Sequence, residues 1–262
     1  MTGRPPSPLD RGALRARVAG GEKTVGTFVS TASAVTAEVC AATGMDWLVL
    51  DLEHGSAGED LVGGVVLAAA AYGVPTVVRV EVATRIRLGR VLDLGAAGVM
   101  LPRMDTASEV GDALRHLRYP PGGDRGVATS IRAHRFGLDT SGLESANGEV
   151  LGVVQIESVQ AVEQVEEIAA LDGADVLFVG PRDLSHDLGV PGDFGAPTYV
   201  AALDRVHAAA QRHGKSCGLL VPDGAAAAVR LHEGWTFVAV ASDSTLLAAS
   251  VTAELARARA AN

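Results

Sequence analysis

Lysine is almost missing from this chain. Lys23 and Lys215 are the only two, and each precedes an apolar run instead of following one. Schiff-base chemistry needs a lysine buried at the reacting centre, so this scarcity argues against it. Cysteine is equally sparse: Cys40 and Cys217 lie in apolar contexts without C-x-x-C spacing and read as buried, reduced thiols. Aromatic residues make up only 4%. No apolar stretch approaches the roughly 20 residues that span a bilayer. The start, MTGRPPSPLDRG, lacks the apolar centre of a signal peptide, so a cytoplasmic protein without a membrane partner is expected. No G-x-S-x-G and no H-E-x-x-H occurs, and GEKTVG at 21–26 lacks the residue order of a P-loop. A net charge of −9 gives no reason to expect nucleic acid.

What is present is a regular alternation. The 262 residues are 48% hydrophobic, enough for a large core. Apolar runs rich in β-formers occur at 25–30, 47–54, 76–80, 97–103, 151–157, 175–180, 217–222 and 237–242. Between them lie Ala-rich segments of helical spacing such as AVTAEVCAATG and YVAALDRVHAAAQRHG, several closed by glycine. Eight strand–helix units predict an α/β chain folded as a single (β/α)8 TIM barrel, with one domain over 1–262. A doubly wound sheet is the alternative, but the first strand is not followed by a phosphate-binding glycine fingerprint. Residues 1–8, with three prolines, are expected to form a loose arm, and 9–19 a short amphipathic helix. A connection as long as 119–149 suits a functional lid or a subunit contact, and its several arginines and a histidine favour a role near an anionic ligand.

In such a barrel the chemistry belongs to the C-terminal ends of the strands. The run VVQIES leads to Gln155 and Glu157, and DVLFVGPRDLS leads to Gly180, Arg182 and Asp183. The segment between, AVEQVEEIAALDG, has helical spacing, so the unit reads strand, helix, strand and brings Glu157 and Asp183 to one face. Two converging carboxylates repel unless a proton or cation lies between them, and hard oxygen ligands suit Mg²⁺ or Mn²⁺. DLEHG supplies Asp51, Glu53 and His54. A histidine beside acidic residues, oriented by Asp51 or Glu53, suits proton transfer near neutral pH; a hydrogen-bonded surface histidine is the bland reading. Arg79 closes an apolar run and needs an anion, either a ligand carboxylate or a structural pair with Glu53 or Glu157. Asp223 and Asp243 suit helix caps, and Asp93 reads as mid-helix and solvated. Of the other histidines, His134 and His186 are expected in loops near the mouth. With no lysine available, electrophilic help falls to a metal.

The strings GMDWLVLDLEH, RYPPGGDRG, VVQIES and FVGPRDLS together make the chain, over about 25–254, resemble the HpcH/HpaI family of class II, metal-dependent pyruvate aldolases. RGVATSIRAHRFG is similar to the 2-dehydro-3-deoxyglucarate aldolase branch. The resemblance implies a divalent ion, Mg²⁺, Mn²⁺ or Co²⁺, on Glu157 and Asp183, with pyruvate chelating it. It implies Arg79, Gln155 and backbone amides near Gly180 and Arg182 as substrate contacts. His54 is implied as the base, with Asp51 or Asp93 as its acidic partner, and the chain as a homo-oligomer, commonly a hexamer that exchanges its terminal helix. Two positions depart from the pattern: Leu52 where glycine is common, and Arg182 where a small residue is common.

The expected reaction is reversible cleavage of a 4-hydroxy-2-oxo acid to pyruvate and an aldehyde through a metal-stabilised enolate. Citrate-lyase-like cleavage of a β-hydroxyacyl-CoA is the alternative, and a catalytically silent barrel that binds an organic acid is a third reading.

Overall fold

The computed structural model describes residues 11–138 and 142–260. The arm expected at 1–8 lies outside them. The first half of the chain contains α1 (Arg11–Ala19), β1 (Thr24–Val29), α2 (Ala34–Ala42), β2 (Trp47–Asp51), α3 (Glu59–Ala70), β3 (Thr76–Arg79), α4 (Arg85–Asp93), β4 (Gly98–Leu101) and α5 (Ala107–Arg115). After the long connection come α6 (Gly142–Glu149), β5 (Leu151–Ile156), α7 (Val159–Glu163), α8 (Val165–Ala169), β6 (Val176–Val179) and α9 (Pro181–Asp187). The chain ends with α10 (Pro197–Arg212), β7 (Ser216–Val221), α11 (Gly224–His232), β8 (Phe237–Ser242) and α12 (Asp243–Ala260). All eight strands pair in parallel and in chain order, and β8 returns to β1, so the sheet is a closed (β/α)8 barrel. Among the described residues no helix is long and apolar enough to cross a membrane.

Local chemistry sets the punctuation. Ser33, Thr84, Ser158 and Asp223 cap α2, α4, α7 and α11 through their side chains, and Thr106 with Glu109 forms a reciprocal capping box on α5. Gly44, Gly73 and Gly214 take positive φ just past α2, α3 and α10, where a side chain would be strained.

Two cores result. Helix faces pack on the outside of the barrel, from Val29 and Leu48 round to Val238. Inside it, Phe28, Trp47, Val77, Met100, Phe178 and Phe237 fill the axis. Trp47 stacks on Phe237 at 3.9 Å, and Gly26 permits this, since a Cβ there would come within 2.2 Å of the indole. The N-terminal end of the barrel is plugged by α1, whose Leu14 and Val18 join the inner core. Arg15 ties that helix to Asp175 at the start of β6.

Three expectations need correction. The helix expected between β5 and β6 is broken at Gln164 into α7 and α8. Tertiary contacts accompany the break: Gln164 Oε1 accepts from the Ala107 amide, and Arg205 donates to the Glu163 carbonyl. None of the described residues of the 119–149 connection lines the cavity at the barrel mouth. The connection joins the end of α5 to the start of β5, which puts its roots at the opposite end of the barrel; its 124–137 stretch packs along α4, and α6 packs on α1. Arg125 reaches Asp93 at the end of α4, and Arg85 at its start donates to the Asp124 carbonyl. Finally, His134 is buried there against Tyr119, and His186 is exposed on α9.

Candidate active site at the barrel mouth

A cavity of about 610 Å³ opens at the C-terminal ends of the strands, within the range usual for small-molecule sites. Asp51, His54, Arg79, Gln155, Glu157, Gly180, Arg182 and Asp183 all line it. Asp93 does not. It ends α4, away from the mouth, with its carboxylate paired to the buried Arg125 at 2.7 Å, so within this chain it cannot partner His54. The helical pattern places it correctly on α4, but the expectation that it is merely solvated overlooked Arg125, some 30 positions on in the chain.

Asp51 and Arg79 are direct cross-strand partners on β2 and β3. That register produces a bidentate pair: Arg79 Nε donates to Asp51 Oδ1 at 2.9 Å and Nη2 to Oδ2 at 2.7 Å. Nη1 lies 3.2 Å from Glu53 Oε2, and the guanidinium carbon sits 5.1 Å from the centroid of the Phe28 ring. Burial pushes the Asp51 carboxyl up, but the hydrogen bonds and charge of Arg79 outweigh it and hold the group below its ordinary value. Asp51 also accepts from the backbone amides of Glu53 and His54. It therefore fixes the loop that carries His54, not the imidazole ring itself. The ring is two-thirds exposed at the rim, and its Nε2 lies 4.0 Å from Glu53 Oε2.

On the other side, Glu157 follows β5 and is almost wholly buried. Asp183 stands in the first turn of α9, beside Glu157 and open to solvent. Burial, then the neighbouring charges of Asp183 and Glu53, push the Glu157 carboxyl up to about 8. Gly180 makes room for it: a Cβ at this position would lie 2.3 Å from Glu157 Oε2. Gln155, on β5, is buried in the cavity wall, and its Oε1 has no hydrogen-bond partner.

Among the described residues no three His, Cys, Asp or Glu side chains form a metal cage. The donor set still fits a hard divalent ion. Two crowded carboxylates, one of them desolvated, are what such an ion neutralises. Mg²⁺ and its relatives commonly take only one or two protein carboxylates and complete their shell with water and substrate oxygens.

Other lining residues carried no sequence motif. Phe28 could have been read from the alternation of β1, since it shares parity with Gly26 and faces inward. Phe194, Tyr199, Arg230 and Thr245 come from loops and helices after β6, β7 and β8, and only the folded chain brings them to the mouth.

A family model described as HpcH/HpaI aldolase/citrate lyase matches residues 24–250. The 5-keto-4-deoxy-D-glucarate aldolase of Salmonella paratyphi C (strain RKS4594) is 38% identical over 230 residues, 88% of this chain and 90% of that protein. Among solved structures, an HpcH/HpaI aldolase/citrate lyase family protein from Burkholderia cenocepacia J2315 is 36% identical with a TM-score of 0.91, covering 95% of this chain and 99% of that one. The HpcH/HpaI aldolase from Desulfitobacterium hafniense DCB-2 is 29% identical with a TM-score of 0.88, covering 94% and 96%.

Proposed function

The chain belongs to the HpcH/HpaI aldolase/citrate lyase family and is a carbon–carbon lyase, and from this premise we propose that it is a divalent-metal-dependent aldolase. Its substrate would be a 4-hydroxy-2-oxo acid, cleaved reversibly to pyruvate and an aldehyde. The observation that carries this reading is the juxtaposition of Glu157, Asp183 and the clamped Arg79 in one cavity.

Glu157 and Asp183 would hold the ion, Mg²⁺, Mn²⁺ or Co²⁺, whose oxygen preferences overlap. Bound there, it would place positive charge beside the 2-keto group and so lower the energy of the enolate left when the C3–C4 bond breaks. Arg79 enters already oriented, because Asp51 and Glu53 use only part of its five-donor fork. The N–H groups left on Nη1 and Nη2 are free to take the carboxylate of the oxo acid. Gln155 offers a buried acceptor to a substrate hydroxyl or a bridging water. Gly180 and Arg182 bring backbone amides to the same edge. His54, at the wet rim, would take the 4-hydroxyl proton through a water molecule, with Glu53 rather than Asp93 as the nearest acid.

We also read 1–262 as one domain working in the cytoplasm as a homo-oligomer. The exposed apolar row on α12, Leu246, Leu247, Val251 and Leu255, supports a partner copy, and the family resemblance points to a hexamer.

Pyruvate release from a set of 4-hydroxy-2-oxo acids, after chelation and resupply of each metal, tests the proposal. Metal-restored release is expected, falling about 10²-fold or more in His54→Ala. No pyruvate under any condition, with cleavage of a hydroxyacyl thioester instead, would replace it by the citrate-lyase-like reaction.

A further inference from the structure

Resting on the aldolase reading, we infer that the half of the cavity remote from Glu157 selects an aldehyde with an apolar, ring-sized body and an anionic end. The space itself points this way. At about 610 Å³ the cavity exceeds what pyruvate and a two- or three-carbon aldehyde fill.

The chemistry of the wall is divided. All the carboxylates that line the cavity, Asp51, Glu157 and Asp183, lie on the β2, β5 and β6 side. Toward β7 the wall is mostly carbon: Leu220, Val221 and Pro222 from the strand end, Ala226 from α11, Tyr199 from α10 and Phe194 from the loop before it, while the lining hydroxyls of Ser30, Ser242 and Thr245 lie on the β8 and β1 side. A polyhydroxylated aldehyde seated against the β7 carbons would leave the hydroxyls that face them without partners, and each such group costs free energy when it leaves water. An aryl or branched alkyl body gains from the same wall, and flat rings pack well on Phe194 and Tyr199.

The rim carries the opposite charge to the metal half. Arg182 lines the cavity with its guanidinium carbon 5.6 Å from the centroid of the Phe194 ring, and among the described residues no carboxylate pairs with it. Arg230 also faces the cavity, but it shares its charge with Glu233 at 2.8 Å. Arg182 is therefore the unneutralised cation above an aromatic platform, and a planar carboxylate matches its fork. In the condensing direction a proton leaves C3 of pyruvate, the C3–C4 bond forms on the aldehyde carbon, and the aldehyde oxygen takes up a proton as the 4-hydroxyl. No further reactant is required.

The test uses the metal-loaded full-length enzyme with pyruvate and four aldehydes: 4-formylbenzoate, benzaldehyde, glyceraldehyde and glyoxylate. Exchange of the pyruvate C3 protons in D2O without aldehyde is measured alongside. The expected result is kcat/KM for 4-formylbenzoate at least about tenfold above glyceraldehyde and glyoxylate, and above benzaldehyde. In Arg182→Met the ratio of 4-formylbenzoate to benzaldehyde should fall about 10- to 100-fold, the usual worth of a hydrogen bond to a charged group. In Phe194→Ala, both aromatic acceptors should lose ground to glyceraldehyde. Preference for glyoxylate or glyceraldehyde, or an unchanged ratio in Arg182→Met, overturns the inference while proton exchange leaves the aldolase reading standing. No exchange and no addition with any aldehyde overturns both.

Discussion

Asp51 and Arg79 show how a single register decides what a side chain does. Arg79 ends an apolar strand and must find an anion, and its in-register neighbour on β2 supplies one. The pair is nearly buried, so neutralising Asp51 removes two charge-assisted hydrogen bonds and leaves Arg79 with Glu53 as its paired carboxylate. Asp51→Asn is expected to destabilise the fold by about 1.5–3 kcal/mol, measured by urea denaturation, and to lower kcat/KM with pyruvate-forming substrates. The pair also makes pH a lever at the acid end. Because the folded Asp51 titrates below its ordinary value, the stability it contributes is present above that value and is lost as pH falls through the folded one. Gly180 works by absence. With a Cβ due 2.3 Å from the Glu157 carboxylate, Gly180→Ala must displace that group. Titration calorimetry is expected to show Mn²⁺ binding weakened by about tenfold or more, while circular dichroism stays that of the parent. Unchanged affinity would mean that Glu157 is not a ligand.

At the scale of elements, the site depends on a brace between two segments. The loop after β5 carries Glu157, and α9 carries Asp183. Asp187, at the end of α9, accepts from the Val159 amide at 2.7 Å and from Arg103 at 3.1 Å. Arg103 also holds Asp105, which accepts from Ser158 at 2.5 Å. This network sets the spacing of the two carboxylates without touching the cavity. Asp187→Ala is expected to raise the Kd for Mn²⁺ about 10- to 100-fold, the range seen when the supports of metal ligands are removed. Paramagnetic relaxation of water by Mn²⁺ would read the change independently of turnover. The eight strands and most helices are legible in the sequence because their periodicity and caps are local. The split of α7 from α8 is not, since Gln164 and Glu163 are engaged by residues more than 40 positions away.

For the whole molecule, α12 is the exposed outlier. It runs for 18 residues, with only Asp243 buried. Asp243 anchors its start by accepting from the Ser30 and Thr31 amides, and the rest presents Leu247, Val251 and Leu255 to solvent. A second copy covering this row would remove it from water. Leu247→Glu combined with Val251→Glu is expected to shift sedimentation from an oligomer to a smaller species with an intact barrel. A parent protein that sediments as a monomer would refute the homo-oligomer.

The closed barrel was written in the chain, because eight apolar runs separated by helical segments have few other ways to bury both faces of a sheet. The same pattern also set which residues stand at the ends of β2, β3, β5 and β6, since strand ends follow from chain order. Tertiary structure alone decided what those residues meet. It turned Asp51 toward Arg79, drew Asp93 away to Arg125, and laid the 124–137 stretch along α4. It also assembled an apolar chamber from Phe194, Tyr199 and the end of β7. The reason is physical. Periodicity records which face of an element is buried, whereas partners across tens of residues are chosen by register, by loop path and by charges that find one another only after the barrel has closed.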